Sequence, residues 1–255
     1  MERLFPERAA PVWFEPCLDS TNRLLKDLAA QGAESGTVVI AGQQTGGRGR
    51  LGRSFASPEG GLYLSVLLRP DCPLEQTVGI PPLAGVAVCR ALRAVTGLEA
   101  KLKWPNDVIL NGKKLCGILV ESAVDAKGVR LFVGIGVNVN LQREDFPEAI
   151  RETACSILTE TGDRIKVLAL AEELIRQLDG LYEAWRLDSA AFLREYRRAC
   201  VNLGREVLIL REEKSLPAKA LDIDDDYSLR VRYPDGSMEN IRFGEVSVRG
   251  LGGYV

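Results

Sequence analysis

The sequence predicts an α+β fold: a main domain that mixes strands and helices, followed by a small all-β domain. Two observations predict the main domain. A strand-like run at 37–41 is joined by a glycine-rich loop to a second run at 62–68, and a long helical pattern covers 166–187. Beyond Gly204 only short alternating runs occur, separated by turn residues. We therefore expect domains at residues 1–203 and 204–255, the second a small β-barrel.

The first helix is predicted by a row of polar residues that favour helix N-termini. Residues 19–22 read Asp-Ser-Thr-Asn, a set of leucines at helical spacing follows, and Gly32 can end the helix. Capping alone would explain these residues. A helix N-terminus also holds polar ligand groups, so both interpretations stay open.

A second helix begins at Pro81–Pro82 and ends at Gly97. The alternation in residues 101–107 then suggests a strand that stops at Pro105. This leaves Trp104, Asn106 and Asp107 at a strand end, where functional sites are often built. A site near this proline is therefore expected.

Asn111–Gly112 gives the strongest hairpin signal in the chain, because this pair suits a two-residue type I′ turn. The flanking strands are predicted at 108–110 and 115–120. Lys113 and Lys114 follow the turn, and one of two adjacent strand residues must face the core side of the sheet. A lysine there would need an anion as partner, although a solvated pair of lysines is the simpler interpretation.

The next strand, predicted at 129–133, runs into a segment of alternating small residues. This alternation places Asn138 and Asn140 on one face, either as a site or as an asparagine ladder on an edge strand. Two helices follow, at 166–187 with an apolar core face and at about 189–200. The C-terminal runs are punctuated by Pro217 and by a proline-containing turn, and they lie at 207–209, 229–231, 241–243 and 246–248.

Residues 46–53, which we name the glycine-arginine loop, contain four glycines and three arginines. Glycine lets the backbone approach a ligand closely, and guanidinium groups offer paired donors to a carboxylate or phosphate. The spacing Gly47-x-Gly49-x-x-Gly52, with Asp71 beyond it, matches a dinucleotide-binding pattern. That pattern must open a helix, however, whereas a strand-like run follows this loop. We predict a flexible loop between two strands, with its arginines facing a small acidic substrate.

The composition excludes several classes of chemistry. The 255 residues contain 33 basic and 35 acidic side chains, so a net charge of −2 disfavours a general nucleic-acid binder. None of the six cysteines forms a C-x-x-C pair, there is no N-terminal signal core, and no apolar run approaches about 20 residues. We therefore expect a cytoplasmic chain with reduced thiols. The absence of histidine excludes histidine bases, triads and histidine-bound metals.

Five segments, taken in order, resemble the biotin protein ligases. They are residues 19–22, the Gln44-x-x-Gly47-Arg48-Gly49-Arg50-x-Gly52-Arg53 stretch, Lys103–Asp107, Lys114–Glu121, and Gly134-x-Gly136-x-Asn138. The match covers nearly the whole chain. The resemblance implies a mixed sheet with packed helices, similar to class II tRNA synthetases, plus an SH3-like C-terminal barrel. It also implies that biotin and ATP form biotinoyl-5′-AMP, which then biotinylates a lysine of a biotin carboxyl carrier protein.

The same resemblance implies roles for individual residues. Those implied to bind biotin are Ser20, Thr21, Asn22, Gln44, Gly47, Arg48, Gly49, Arg50, Lys114 and Gly117. Those implied to bind the nucleotide are Arg50, Arg53, Trp104, Asn106 and Asn138. Arg48, Arg50 and Lys114 would be catalytic, and Asp107 would hold Mg²⁺. Since the biotin carboxylate is itself the nucleophile, the protein need only align two anions and neutralise their charge.

Two other functions compete with this interpretation. A lipoate-type ligase shares the fold, but its signature contains a histidine, which this chain lacks. An RNA-binding protein could use the arginines of the loop, although one short patch between apolar strands is poor support. Too few residues precede the first matching segment for a helix-turn-helix, so no DNA binding is expected. No membrane association is expected either, and a homodimer is left open.

Overall fold

The main sheet is mixed, which confirms the predicted fold class. The structure is a computed structural model that describes residues 1–126, 128–211, 214–242, 246–250 and 254. The strands are β1 (Glu2–Leu4), β2 (Val12–Leu18), β3 (Val38–Gln44), β4 (Leu62–Leu68), β5 (Lys101–Lys103), β6 (Asp107–Leu110), β7 (Lys113–Asp125) and β8 (Gly128–Val137). Their order is β1-β2-β3-β4-β8-β7-β6-β5, and β2 and β3 run parallel.

Helices cover both faces of this sheet. They are α1 (Thr21–Ala30), α2 (Ile80–Thr96), α3 (Ile157–Thr161), α4 (Val167–Leu187) and α5 (Leu193–Ala199). Successive strand residues point to opposite faces, so Val39 packs with Leu25 of α1 while its neighbours Val38 and Ile40 join the main core with α2 and α4. The sheet is therefore covered by helices on both sides, and α1 lies on the face that also carries the site described below.

Several local predictions are confirmed. Asn111 and Gly112 have φ of 49° and 80°, as a type I′ turn requires, and β6 and β7 pair on either side of them. Helix α4 covers nearly the predicted range, whereas α5 is shorter than predicted. Gly97 ends α2 in the left-handed conformation that glycine tolerates.

The expectation that no apolar run approaches the length of a membrane span is corrected by the α2 region. A short 3-10 helix precedes α2 and makes Leu74–Thr96 long and apolar enough, by length and composition alone, to cross a membrane. Ten residues of α2 are buried in the protein core, among them Ile80, Leu83 and Leu92. Burial of this kind is typical of the central helix of a globular domain.

The C-terminal region forms a second, antiparallel sheet. Its strands are β9 (Glu206–Arg211), β10 (Lys214–Ile223), β11 (Leu229–Arg232), β12 (Met238–Ile241) and β13 (Val246–Gly250), in the order β12-β11-β10-β9-β13. The interpretation of Pro217 as a break was wrong, because Pro217 lies within β10 and pairs with Leu208. β10 pairs with β11 only from Lys219 onward. No partner strand within the described ranges therefore lies on the side of Pro217 where an N–H would be needed. Phe243, at the end of one predicted run, lies outside the described residues.

The two sheets share one hydrophobic core. Tyr227, in the turn before β11, is 1% exposed and stacks on Phe192 with ring centres 5.3 Å apart. The indole N–H of Trp104 donates to the Tyr227 carbonyl at 3.0 Å, and the Tyr227 hydroxyl donates to Ser189 O at 2.8 Å. Arg197 of α5 also donates to Ile223 O at 2.7 Å. The second sheet is thus held against the main domain by buried contacts at the end of β5.

Candidate functional site

A cavity of about 720 Å³ opens between α1, the glycine-arginine loop and the second sheet. Every residue that the sequence analysis assigned to a site, except Gly47, lines it. The wall also includes Phe146 and Ile150 from the segment after β8, and Arg249 and Tyr254 from the C-terminal region. The predicted site residues are therefore brought together at one place.

Glycines in the sheet create the room for this cavity. On the α1 face of β8, Phe132 packs against Leu25, but the next two residues on that face are Gly134 and Gly136. A Cβ at Gly134 would lie 2.9 Å from Asn22 Oδ1, and one at Gly136 would lie 2.5 Å from the Phe55 ring. Small residues are thus required where the sheet forms the floor.

One end of the cavity, which we name the polar pocket, is formed by Ser20, Thr21, Asn22 and Gln44. Ser20 is the N-cap of α1 but makes no side-chain capping bond. Instead, Gln44 Oε1 accepts hydrogen bonds from the backbone N–H of Thr21 at 2.8 Å and from the Thr21 hydroxyl at 3.1 Å. Helix capping therefore does not explain why Ser20, Thr21 and Asn22 are polar. All three are almost completely buried, and they line the cavity.

The glycine-arginine loop covers the cavity and joins two antiparallel strands, as predicted. Arg48 is exposed, whereas Arg50 is half-buried and donates to Asn106 Oδ1 at 3.1 Å. Burial lowers the pKa of Arg50; the negative charge of Asp107 opposes this shift, and the like charge of Arg53 adds to it. An anion in the cavity would relieve the cost of this buried cation.

Gly47, which the sequence analysis assigned to the substrate site, is surrounded by atoms of its own loop. Gly47 does not line the cavity, and a Cβ there would lie 2.4 Å from the Phe55 carbonyl oxygen and 2.6 Å from Ser57 Oγ. Its own carbonyl accepts a hydrogen bond from the Phe55 N–H at 2.9 Å. Gly47 therefore lets the loop fold back on itself, and it brings the Phe55 ring over Gly117 and Gly136.

The opposite end of the cavity carries most of the charge, and we name its basic residues the cation cluster: Arg50, Arg53, Lys103, Lys114 and Arg249. Lys114 Nζ lies 2.6 Å from Asp107 Oδ1, so the second lysine after the hairpin turn faces the site and Lys113 is exposed. The Tyr254 hydroxyl donates to the other oxygen of Asp107. Asp107 is the one carboxylate among the described residues of the cavity wall.

Lys103 belongs to one of the matched segments, but the sequence analysis gave it no role in the site. It is 5% exposed, and within the described chain its Nζ has neither a hydrogen bond nor an ion pair and lies 3.8 Å from the centre of the Tyr254 ring. Burial lowers its pKa to about 8, an effect opposed by Asp107 and reinforced by Lys114 and two arginines. The strand pattern was a usable signal for Lys103. Successive strand residues point to opposite faces, so Lys103 lies on the face opposite to the buried Leu102 and directly precedes Trp104 in the chain.

Three predicted nucleotide-binding residues use their side chains partly for the fold. Trp104 is 1% exposed, and its indole N–H is bonded to Tyr227 O. Asn106 donates to Ile118 O at 2.9 Å, and Asn138 donates to Cys155 O at 2.9 Å. Asn138 and Asn140 do not form an edge-strand ladder, since β8 is an inner strand and Asn140 bonds Ile165 O instead.

Asp107, predicted to hold Mg²⁺, has no second carboxylate beside it in the described part of the cavity wall. One of its oxygens faces the Lys114 ammonium and the other accepts from Tyr254. Across the described ranges, no group of three or more Cys, Asp or Glu side chains is placed to hold a metal ion. The described part of the cavity wall carries six cationic side chains and one carboxylate, a balance that favours anions over bare cations.

Two family descriptions match the chain. Residues 14–138 match the Biotin/lipoate A/B protein ligase family, and residues 203–249 match the Biotin protein ligase C terminal domain. The Bifunctional ligase/repressor BirA of Bacillus spizizenii is 33% identical over 88% of this chain and 70% of its own length. The Biotin--[acetyl-CoA-carboxylase] ligase of Paracoccus denitrificans is 32% identical, covering 86% of this chain and 92% of its own.

Solved structures show the same likeness. The biotin protein ligase from Aquifex aeolicus, in complex with biotin and ATP, superposes with a TM-score of 0.82 and 31% identity. The match covers 94% of this chain and 98% of that protein. Both sheets described above therefore belong to one shared architecture.

Proposed function

The chain belongs to the biotin protein ligase family, and on that premise we propose that it activates biotin with ATP and transfers the biotinoyl group to a carrier-protein lysine. The observation that carries this proposal is the cavity itself. It joins the polar pocket and an apolar wall to the cation cluster. Biotin has a polar ureido head, an apolar chain and a carboxylate that must meet a triphosphate, and these parts match the three regions in order.

In the first step, an oxygen of the biotin carboxylate forms a bond to the α-phosphorus of ATP. The bond between that phosphorus and the bridging oxygen breaks, and pyrophosphate leaves with the electron pair. We propose that Lys114, Arg48 and Arg50 neutralise the two approaching anions, because the described part of the cavity wall carries these cations and only one carboxylate. The ion pair between Lys114 and Asp107 keeps the ammonium in place before the substrates arrive.

In the second step, the lysine amine of the carrier forms an amide bond with the biotin carboxyl carbon. The carbon–oxygen bond to AMP breaks, AMP leaves as an anion, and the amine proton passes to solvent. The nucleophile and leaving group are both supplied by substrates, so alignment and charge neutralisation suffice. A chain without histidine can therefore catalyse both steps.

We propose that Mg²⁺ enters as its complex with ATP rather than by binding first to Asp107. Magnesium commonly keeps several waters and uses one or two carboxylates together with substrate phosphates. Asp107 is the sole described carboxylate of the cavity wall and is already paired with Lys114. Asn106 and Asn138 are placed to offer at most uncharged contacts to the nucleotide.

We further propose a biotin carboxyl carrier protein as the acceptor and no sequence-specific DNA as a partner. The acceptor follows from the relatives named as ligases for acetyl-CoA carboxylase. Four relatives are named ligase/repressors, but a net charge of −2 gives this chain no general attraction for DNA. Cytoplasmic location and homodimer formation remain proposals of the same kind.

The decisive experiment incubates the purified protein with biotin, Mg-ATP and an acceptor carrier domain, followed by streptavidin blotting. We expect one labelled lysine. A blank blot with an acceptor that another biotin ligase modifies would contradict the proposal. Replacing biotin by lipoate tests the related ligase activity, and an RNA-binding role is disfavoured because the loop arginines line a cavity.

A further inference from the structure

Glu121 lies behind the polar pocket on β7 and does not itself line the cavity. Its Oε2 accepts a hydrogen bond from Asn22 Nδ2 at 2.7 Å, and its Oε1 pairs with Lys26 Nζ at 2.6 Å. Burial favours the neutral acid, but the hydrogen bonds from Lys26 and Asn22 outweigh it and lower the pKa of Glu121. Glu121 is therefore ionised at neutral pH and acts only as an acceptor.

A chain of hydrogen bonds continues from Asn22 to the cavity wall. Asn22 Oδ1 accepts from Ser65 Oγ at 2.6 Å, and Ser65 Oγ lies 2.7 Å from Thr21 Oγ1. Ser65 is completely buried, and Asn22 and Thr21 are 5% and 4% exposed. No bulk water competes for these contacts, so each donor must match an acceptor.

The carboxylate at one end sets the direction of every bond in this chain. Because Glu121 has no proton to give, the NH₂ group of Asn22 must face it, and Asn22 Oδ1 must face Ser65. That oxygen can only accept, so it takes the single Ser65 proton. Ser65 Oγ is then free to accept from Thr21.

The Thr21 hydroxyl proton has two acceptors inside the protein, Ser65 Oγ at 2.7 Å and Gln44 Oε1 at 3.1 Å. Gln44 Oε1 already accepts the Thr21 N–H at 2.8 Å, so the shorter contact with Ser65 is favoured. With either acceptor the proton is used internally. Thr21 Oγ1 then presents a lone pair to the cavity.

We propose that Glu121 is a positioning residue that makes the polar pocket an acceptor, selective for a ligand with an N–H group. This inference rests on the proposed function, since the ureido N–H of biotin is the donor it would accept. Asn22 Nδ2 also lies 3.5 Å from the Phe132 carbonyl oxygen, a longer contact than the 2.7 Å bond to Glu121. Without Glu121 only this long contact opposes a turn of the Asn22 amide, so the Ser65 and Thr21 protons can reverse. The pocket then accepts a ligand carbonyl and an N–H about equally well.

The test compares biotin with an analogue in which both ureido nitrogens are replaced by CH₂ groups, leaving a cyclic ketone. Affinities are measured by calorimetry for the wild-type chain, Glu121→Met and Glu121→Gln. We expect Glu121→Met to reduce the preference for biotin by about tenfold or more, a change of about 1.4 kcal/mol. Glu121→Gln keeps an acceptor oxygen for Asn22 and should retain most of the preference.

Glu160→Met is the matched control. Glu160 also accepts from an asparagine amide, that of Asn111 at 2.7 Å, and lies 3.6 Å from Lys113, but it is not part of the cavity wall. Its replacement should leave the biotin preference unchanged. Thermal unfolding of each variant shows whether the fold is retained.

An unchanged preference in Glu121→Met would overturn the inference. Equal weakening of both ligands would also overturn it, because a merely structural role predicts that result. Biotin-dependent pyrophosphate release by the wild-type chain tests the proposed function separately. If the wild-type chain releases pyrophosphate and Glu121→Met keeps its selectivity, the polarity inference fails while the proposed function stands.

Discussion

Lys114 Nζ lies 2.6 Å from Asp107 Oδ1, and the two residues stand on paired strands of one hairpin, β6 and β7. The hairpin therefore fixes a half-buried cation and its counterion beside the cavity. Lys113, one residue earlier, points away and pairs loosely with Glu160 at 3.6 Å. Two adjacent lysines thus have different surroundings, which makes them a natural pair for mutagenesis.

We expect Lys114→Gln to slow adenylate formation by about 100-fold or more, comparable to the loss of one preorganised charge-stabilising group. Biotin-dependent pyrophosphate release measures this step. Lys113→Gln, the matched control, should change the rate less than about twofold because its charge is solvated. Equal rates in the two variants would show that Lys114, like Lys113, contributes only a surface charge.

Lys103 should reduce stability at neutral pH. Its pKa is about 8 in the folded protein, below the ordinary 10.5, so holding its proton in the fold costs stability below pH 8. The unfolded chain binds more protons between these values, and the cost fades as pH rises through that window. Lys103→Met should therefore raise Tm at pH 7, on the order of 5 °C, and raise it less at pH 9.5.

The same substitution should raise the KM for ATP, since it removes a cation from the cluster. Lys101→Met is the control, because Lys101 is an exposed lysine on the same face of β5. That variant should change neither Tm nor KM appreciably. A Tm increase for Lys103→Met that is equal at both pH values would argue against a buried charged lysine.

The glycine-arginine loop should fold tightly only when an anion is bound. Ordering it costs about 1–2 kcal/mol per fixed backbone residue, and its three arginines repel one another in the empty protein. Limited trypsinolysis should cut first at Arg48 or Arg53, which are exposed, giving fragments of about 50 and 205 residues. Biotin with ATP should suppress the cut.

Arg48→Ala tests whether that protection comes from the ligand. It removes one cleavage site but also one partner of the bound anion, so Arg50 and Arg53 should remain cleavable in the presence of biotin and ATP. Equal cleavage of the wild-type chain with and without ligands would show that the loop is already rigid or does not take part.

Trp104 should matter more for stability than for nucleotide affinity. Trp104→Phe leaves the buried Tyr227 carbonyl without its 3.0 Å donor, which costs about 1–3 kcal/mol. Trp185→Phe is the control, because Trp185 is also buried and its Nε1 has no hydrogen-bond partner among the described residues. Urea unfolding should show that Trp104→Phe is more destabilising than Trp185→Phe. If Trp104→Phe instead raised the KM for ATP without a loss of stability, Trp104 would serve nucleotide binding rather than the fold.

Local patterns in the sequence predicted much of this fold, because those patterns are decided by neighbouring residues. The Asn111–Gly112 pair predicted a tight turn, which forms there. The helical spacing of the apolar residues in α4 predicted a helix with one buried face. The strand containing Pro217 was missed because a proline is tolerated where only one side of a strand is paired. That condition depends on partners far away in the chain.

The site was predicted in outline, and its missing members share a physical reason. The resemblance named residues by position, but Lys103 is enclosed at the cavity by Tyr254, which lies some 150 residues later in the chain. Glu121 escaped notice because it acts through Asn22 and Ser65 rather than on the cavity. Gly47 was assigned to the ligand although its space is required by Phe55 O, a backbone atom.

The hydrogen bond between Trp104 and Tyr227 bears on how this protein could diversify by recombination. Chimeras that join one homologue's main domain to another's C-terminal domain would have to restore the interface that Trp104, Phe192 and Tyr227 share. Trp104 also belongs to the cavity wall, so a mismatched C-terminal domain would disturb ligand geometry as well as stability. Functional chimeras should therefore require that the Trp104 contact surface be transferred together with the C-terminal domain.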